Sequence, residues 1–260
     1  MFEILQTLLA DKKGGPVFTC FDGVHIGFIL SFVALAVGVA LYLRKRADKS
    51  PVIGRFVDVA FGLYMLDFFL MPFAYGEIDV EKLPFHVCTA MCVMCFVSRH
   101  CERLKPYRLP FAMLGFLSNL VYLLYPAGVM WHAVHPFSYR VIQTLTFHGV
   151  MMVYGAMVLL YERGGFCWKG CRRDLLVIVG MTAWAWLGNT LYNSPARVYN
   201  WFFVVQDPFN MFPQSIAPYI MPILNVVVFF GIELTVYGLL AKVAQLNRRQ
   251  CYETHHTRGI

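Results

Sequence analysis

The feature that most constrains this chain is a repeated length. Seven largely apolar runs follow one another with short polar connections, at about 24–43, 54–75, 83–98, 108–126, 139–161, 174–192 and 214–241. About 20 apolar residues in helical geometry cross a ~30 Å hydrocarbon core. Within lipid every backbone polar group must be satisfied inside its own segment, which selects helices for runs of this kind. The pattern predicts an all-α integral membrane protein: a seven-transmembrane helix bundle forming a single polytopic domain over residues 1–260. The third run is short and opens at Leu83-Pro84, where proline suits a first helical turn. The last contains Pro218 and Pro222, which predicts a kink or an interfacial start.

Composition supports this reading. Hydrophobic residues make up 58% of the chain and charged residues 14%, with a mean hydropathy of +0.57. Soluble domains hold about 45–50% apolar and about 25% charged residues. A net charge of +7 raises the thought of nucleic acid, but the basic residues cluster between the apolar runs, so no nucleic-acid partner is expected. Of the 22 lysines and arginines, 17 fall in alternate connections, at 44–55, 99–108, 162–173 and after 241. The other set of connections holds five. By the positive-inside rule the N-terminus faces out and the C-terminus faces the cytoplasm. A missed or invented span would break the alternation. The expected location is the membrane, and the cell membrane in particular.

The first 23 residues lack a basic stretch leading into an apolar one, so no cleavable signal peptide is expected. The eight cysteines, at 20, 88, 92, 95, 101, 167, 171 and 251, do not form a secreted disulfide framework and read as free thiols. Residues 193–213 are rich in aromatics: Trp201, Phe202, Phe203, Phe209 and Phe212 suit a membrane–water interface. This segment reads either as a lid over the outer mouth or as an interfacial loop without a gating role.

Ionisable and amide side chains inside the spans are costly and mark candidate functional positions. A rise of 1.5 Å per residue converts position into depth. Counted from the outer ends, Cys88 lies about 8 Å in and His148 about 13 Å in, with Asp67 level with His148. Asn119, Gln143, Thr144 and Asn189 also fall in the outer half, and Asn225 lies about midway. Six helices therefore bring polar groups to one level, as an outward-opening pocket requires. Cys88, Cys92 and Cys95 share one helical face, whereas His86 points away from Cys88 on a regular helix. The geometrically reasonable cysteine–histidine pair is Cys88 with His148.

Such a pair suits nucleophilic catalysis. The thiolate is the reactive form, an imidazole can take its proton, and Asp67 or an asparagine can orient the ring. An acyl thioester formed there would meet lipid esters. Other chemistries compete for the same residues. Cysteine is also a small packing residue, and Cys92 and Cys95 fit that role. Three thiols spread over about 10 Å of helix cannot close around one tetrahedral ion, so no metal is expected. A haem held by His86 and His148 is a weaker alternative, and no cofactor is expected. A retinal-type chromophore is disfavoured because the last span has no lysine before Lys242. A non-enzymatic transporter or receptor for a small solute stands as the alternative function, although Glu233 is the main acid of the inner halves.

The motifs LPFHVC (83–88), HPFSY (135–139), TFHG (146–149), NTLYN (189–193) and WFFVVQDP (201–208) resemble the YwaF-like family of polytopic membrane proteins, from about Asp58 to Tyr237. One branch of that family is a transmembrane acyltransferase that remodels ether phospholipids through a cysteine–histidine pair. The resemblance implies that Cys88 is the nucleophile and His148 the base, with phospholipid or lysophospholipid as substrate. It leaves open whether lysolipid or water accepts the acyl chain. His86, Asp67, Asn119, Gln143, Asn189 and Asn225 are the expected pocket or orienting residues.

Overall fold

A computed structural model describes residues 16–75, 80–130, 133–162, 168–208 and 210–256. Phe209 and Cys167 lie outside these residues. The described secondary structure is helical: α1 (Gly23–Arg44), α2 (Ser50–Tyr75), α3 (Val87–His100), α4 (Arg108–Leu124), the short α5 (Ala127–Met130), α6 (Tyr139–Tyr161), α7 (Trp168–Tyr192) and α8 (Ala217–His256). An isolated bridge between Ser194 and Arg197 closes a tight turn in the loop after α7.

Six segments among the described residues are long and apolar enough to cross a membrane: Gly23–Arg44, Ser50–Phe73, Lys105–Leu124, Tyr139–Tyr161, Cys171–Tyr192 and Ala217–Lys242. The remaining expected span is the 14-residue α3, about 21 Å long. It is shorter than its apolar run because Leu83 to Phe85 form a turn and His86 is an extended N-cap. At the start of α8, Pro218 occupies the first turn, where no helical N–H bond is needed, and Pro222 lies inside the helix.

The chain divides into two compact units, Met1–Arg163 and Gly164–Ile260. In the first, α6 is the central helix and packs on α4, α2 and α1, while α3 packs on α4 and α2. The sequence of α6 explains its place. Apolar and small residues surround it, and Val141, Leu145, Met151, Val153 and Tyr154 have no exposed surface. Two glycines permit close approach. A Cβ at Gly155 would lie 2.6 Å from Phe116 Cβ and 2.9 Å from the Ala112 carbonyl on α4. A Cβ at Gly149 would collide with the Phe32 ring of α1.

Caps and ion pairs fix the helix ends. Asp22 accepts the His25 N–H at 2.8 Å and so caps α1. His25 Nδ1 accepts the Phe21 N–H at 2.8 Å, so its Nε2 carries the hydrogen donated to the Leu123 carbonyl at 2.8 Å. That bond ties the start of α1 to the end of α4. At the opposite end, Arg108 pairs with Glu162 at 3.0 Å and Arg99 pairs with Asp58. Gly54 leaves room for the Arg99 guanidinium, which a Cβ would strike.

In the second unit α7 packs on α8, and both pack on the turn Trp201–Phe203. Asparagines build the loop between them. Asn193 accepts the Tyr199 N–H at 2.6 Å, and Asn200 accepts those of Val205 and Gln206 at 3.1 and 3.0 Å. Many apolar side chains remain exposed, among them Leu30 and Leu41 on α1 and Ile223 and Val227 on α8. Exposed apolar surface of this extent belongs against lipid.

The α4–α6 contact should be intolerant of one methyl group. Gly155→Ala is expected to destabilise the protein by about 1–3 kcal/mol, the usual cost of overpacking. Gly62→Ala, with open space around its Cβ, should not. Thermal unfolding in detergent followed by tryptophan fluorescence distinguishes the two.

Candidate functional site

The first unit holds a partly open cavity of about 350 Å³ lined by α2, α3, α4, α5, α6 and the turn before α3. Cys88 and His148 both line it, as do Asp67, His86 and Gln143. The five residues come from three helices and an N-cap, and the level shared in the sequence becomes a shared wall. Depth identifies them; their facing comes from packing.

His148 sits one residue before Gly149. Gly149 admits the Phe32 ring of α1, and His148 itself is only 6% exposed. Its Nδ1 lies 2.7 Å from Asn119 Oδ1. Which way that amide points is settled by its other end: Asn119 Nδ2 donates to the Gly115 carbonyl at 2.6 Å. The oxygen therefore faces the imidazole, and Nδ1 must carry the hydrogen. In the neutral ring Nε2 is left with a lone pair. The Tyr122 ring stacks on the imidazole at 3.7 Å between centroids and 13° between planes. Hydrogen bond and stack together fix the ring's direction and its tilt.

Cys88 lies in the first turn of α3, one residue after the helix begins. Its side chain is buried beside Ser118, whose hydroxyl donates to the Gly115 carbonyl at 3.1 Å. The Gly115 carbonyl thus holds both Ser118 and Asn119, one against the thiol and one against the imidazole. Cys92 and Cys95 have no exposed surface and are not among the cavity's lining residues.

The other expected residues divide. Asp67, one candidate to orient the imidazole, pairs with Lys82 Nζ at 2.6 Å instead. His86 occupies the N-cap position of α3, and its ring pairs with Glu81 at 2.7 Å while lining the cavity. Gln143 accepts from the Thr144 hydroxyl at 3.2 Å and also lines it. In the second unit, Asn189 clamps Trp201, accepting its N–H at 3.0 Å and donating to its carbonyl at 3.1 Å. Asn225 donates to the carbonyl of Phe202. Both amides are engaged by the backbone of the aromatic loop. There Phe202 and Phe203 hold left-handed φ values of 55° and 53°, which bulky residues rarely adopt.

Sequence reasoning missed Tyr122, Lys82, Glu81 and Arg140, all of which line the cavity. Tyr122 had a usable signal: it follows Asn119 by three residues and so shares its helical face. The charged residues lie at or near the edges of the apolar runs, where a charge attracts no attention. Among the described residues no group of three or more histidine, cysteine, aspartate or glutamate side chains is placed to hold a metal ion.

Removing Asn119 would leave the buried His148 Nδ1–H without its acceptor. Asn119→Ala is expected to lower unfolding stability by about 1–3 kcal/mol, the cost of an unsatisfied buried donor. Equal stability of the variant and the parent in thermal unfolding would contradict the assignment of the bond.

Residues 20–239 match the model of the TMEM164 family, and the chain belongs to that family, a family of membrane proteins. No curated protein and no solved structure matches the chain.

Proposed function

We propose that this member of the TMEM164 family is a lipid acyltransferase or hydrolase that works through a thioester on Cys88. The observation that carries the reading is the pinned Asn119–His148 bond: it leaves His148 Nε2 with a free lone pair in a cavity that Cys88 also lines. A cysteine, a histidine and an amide that orients the histidine make up a known working set for acyl transfer. The motif resemblance to the YwaF-like family and its ether-phospholipid branch points the same way. The six apolar segments supply the setting, because a protein embedded in a bilayer has its lipid substrates beside it.

The chemistry divides into two halves. His148 Nε2 takes the proton from the Cys88 thiol, and the sulfur attacks the carbonyl carbon of a phospholipid ester. The ester C–O bond breaks as the C–S bond forms. The imidazolium returns its proton to the departing oxygen, which leaves a lysophospholipid. In the second half His148 deprotonates the acceptor hydroxyl, of a lysophospholipid or of water. That oxygen attacks the thioester, and the released sulfur recovers the proton. Cys88 stands in the first turn of α3, where backbone N–H groups without helical partners favour negative charge developing nearby. Tyr122, stacked on the ring, holds the tilt of the imidazole through both halves.

The test is turnover of an isotope-labelled phospholipid by the purified protein, with and without added lysophospholipid. Cys88→Ala and His148→Ala should each lower turnover by about a hundredfold or more, on the scale of losing a nucleophile or a general base. Cys92→Ala and Cys95→Ala should retain it within about threefold, since cysteines acting as packing residues contribute only to stability. Turnover by Cys88→Ala equal to that of the parent would refute the proposal.

A further inference from the structure

The second unit holds a separate group of buried polar side chains that the cysteine chemistry does not use. Glu233, on α8, is 1% exposed, and neither of its carboxylate oxygens has a hydrogen-bond partner. It lies nine residues before Lys242, or about 13 Å from that end of the apolar segment. Asp174, on α7, is 2% exposed and lies close enough to Glu233 for the two carboxyl groups to interact. Its Oδ1 accepts the Tyr237 hydroxyl at 3.0 Å. Tyr237 follows Glu233 by one helical turn on the same face of α8. Asp174 lies three residues inside the Cys171 end of its own apolar segment.

We infer that Glu233 and Asp174 form a proton-binding site, in which Glu233 holds one exchangeable proton and Asp174, beside Tyr237, faces the Lys242 end of the unit. Two neighbouring carboxylates in a low-dielectric interior cannot both stay ionised without a compensating positive charge. Among the described residues, no lysine or arginine pairs with either carboxyl group. α7 supplies Asp174 and the buried Cys171, α8 supplies Tyr237, and the turn Trp201–Phe203, the other described element packed on α8, carries no charged side chain. Arg172 is exposed, and Arg173, half-buried, projects about 100° round the helix from Asp174. A metal cation would need several converging oxygens, whereas the described residues hold no cluster of three or more metal-ligating side chains. A single proton needs only the unpartnered carboxyl.

This inference is independent of the Cys88 reading, and its test does not involve lipid turnover. The full-length protein in phosphatidylcholine nanodiscs is treated with dicyclohexylcarbodiimide, which enters hydrocarbon and adds to protonated carboxyl groups. Peptide mass spectrometry then locates the adduct. Labelling of Glu233 should rise as pH falls, by up to about tenfold per pH unit as for a one-proton site. Sodium or lithium chloride should leave it unchanged. Glu233→Gln should abolish this adduct and remove a protonated-carboxyl band from the infrared spectrum, and Asp174→Asn should shift the pH profile while keeping the adduct. The pH and salt series on the unaltered protein decides the matter even if the variants fail to fold. Labelling that ignores pH, protection by sodium, or absence of both the Glu233 adduct and the protonated-carboxyl band in the unaltered protein would overturn the site.

Discussion

In hydrocarbon a polar side chain has no water to fall back on, and this constraint orders the interior of the protein. Each buried amide or imidazole must find a partner within the protein, so its direction is fixed along with its position. Asn119 shows the consequence most clearly. One end of its amide is taken by the Gly115 carbonyl of its own helix, and the other must then present oxygen to His148 on α6. The tautomer of the histidine follows from a hydrogen bond made on a different helix.

Much of this was legible from sequence, and the reason is periodicity. Apolar length placed the helices: the expected 139–161 is α6 to the residue, and 24–43 lies within one residue of α1 at each end. Depth along a helix is also linear in residue number, so the common level of Cys88, Asn119 and His148 could be read directly. Facing was not legible to the same degree. Asp67 or one of several asparagines stood as the group to orient the imidazole, and only packing shows that Asp67 is taken by Lys82, fifteen residues further on. Tyr122 was passed over because an aromatic residue in an apolar run carries no polar signal of its own.

Asn189 and Asn225 have partners that the linear sequence does not reveal. In a linear reading each is a costly amide inside a span and thus a pocket candidate. Their partners are the backbone groups of Trp201 and Phe202, which are available only because the aromatic loop bends through left-handed φ at Phe202 and Phe203. That need arises from a conformation several residues away, and residue type along the span does not encode it. The same holds at α3. The apolar run predicts a helix from Leu83, but His86 stands extended as its N-cap, and the helix loses its first turn. The shortening has a chemical effect: it moves Cys88 from the second turn to the first, nearer the unpartnered backbone N–H groups.

The account turns on whether the thiol of Cys88 takes up an acyl chain. The direct measurement is mass spectrometry of the peptide containing Cys88 after incubation of the protein with a phospholipid bearing one defined acyl chain. The account predicts an added mass equal to that acyl group on Cys88, removed by neutral hydroxylamine as a thioester should be, and no such mass on Cys92 or Cys95. Turnover of the lipid with no acyl group on Cys88 at any time, or acylation confined to another residue, would contradict it.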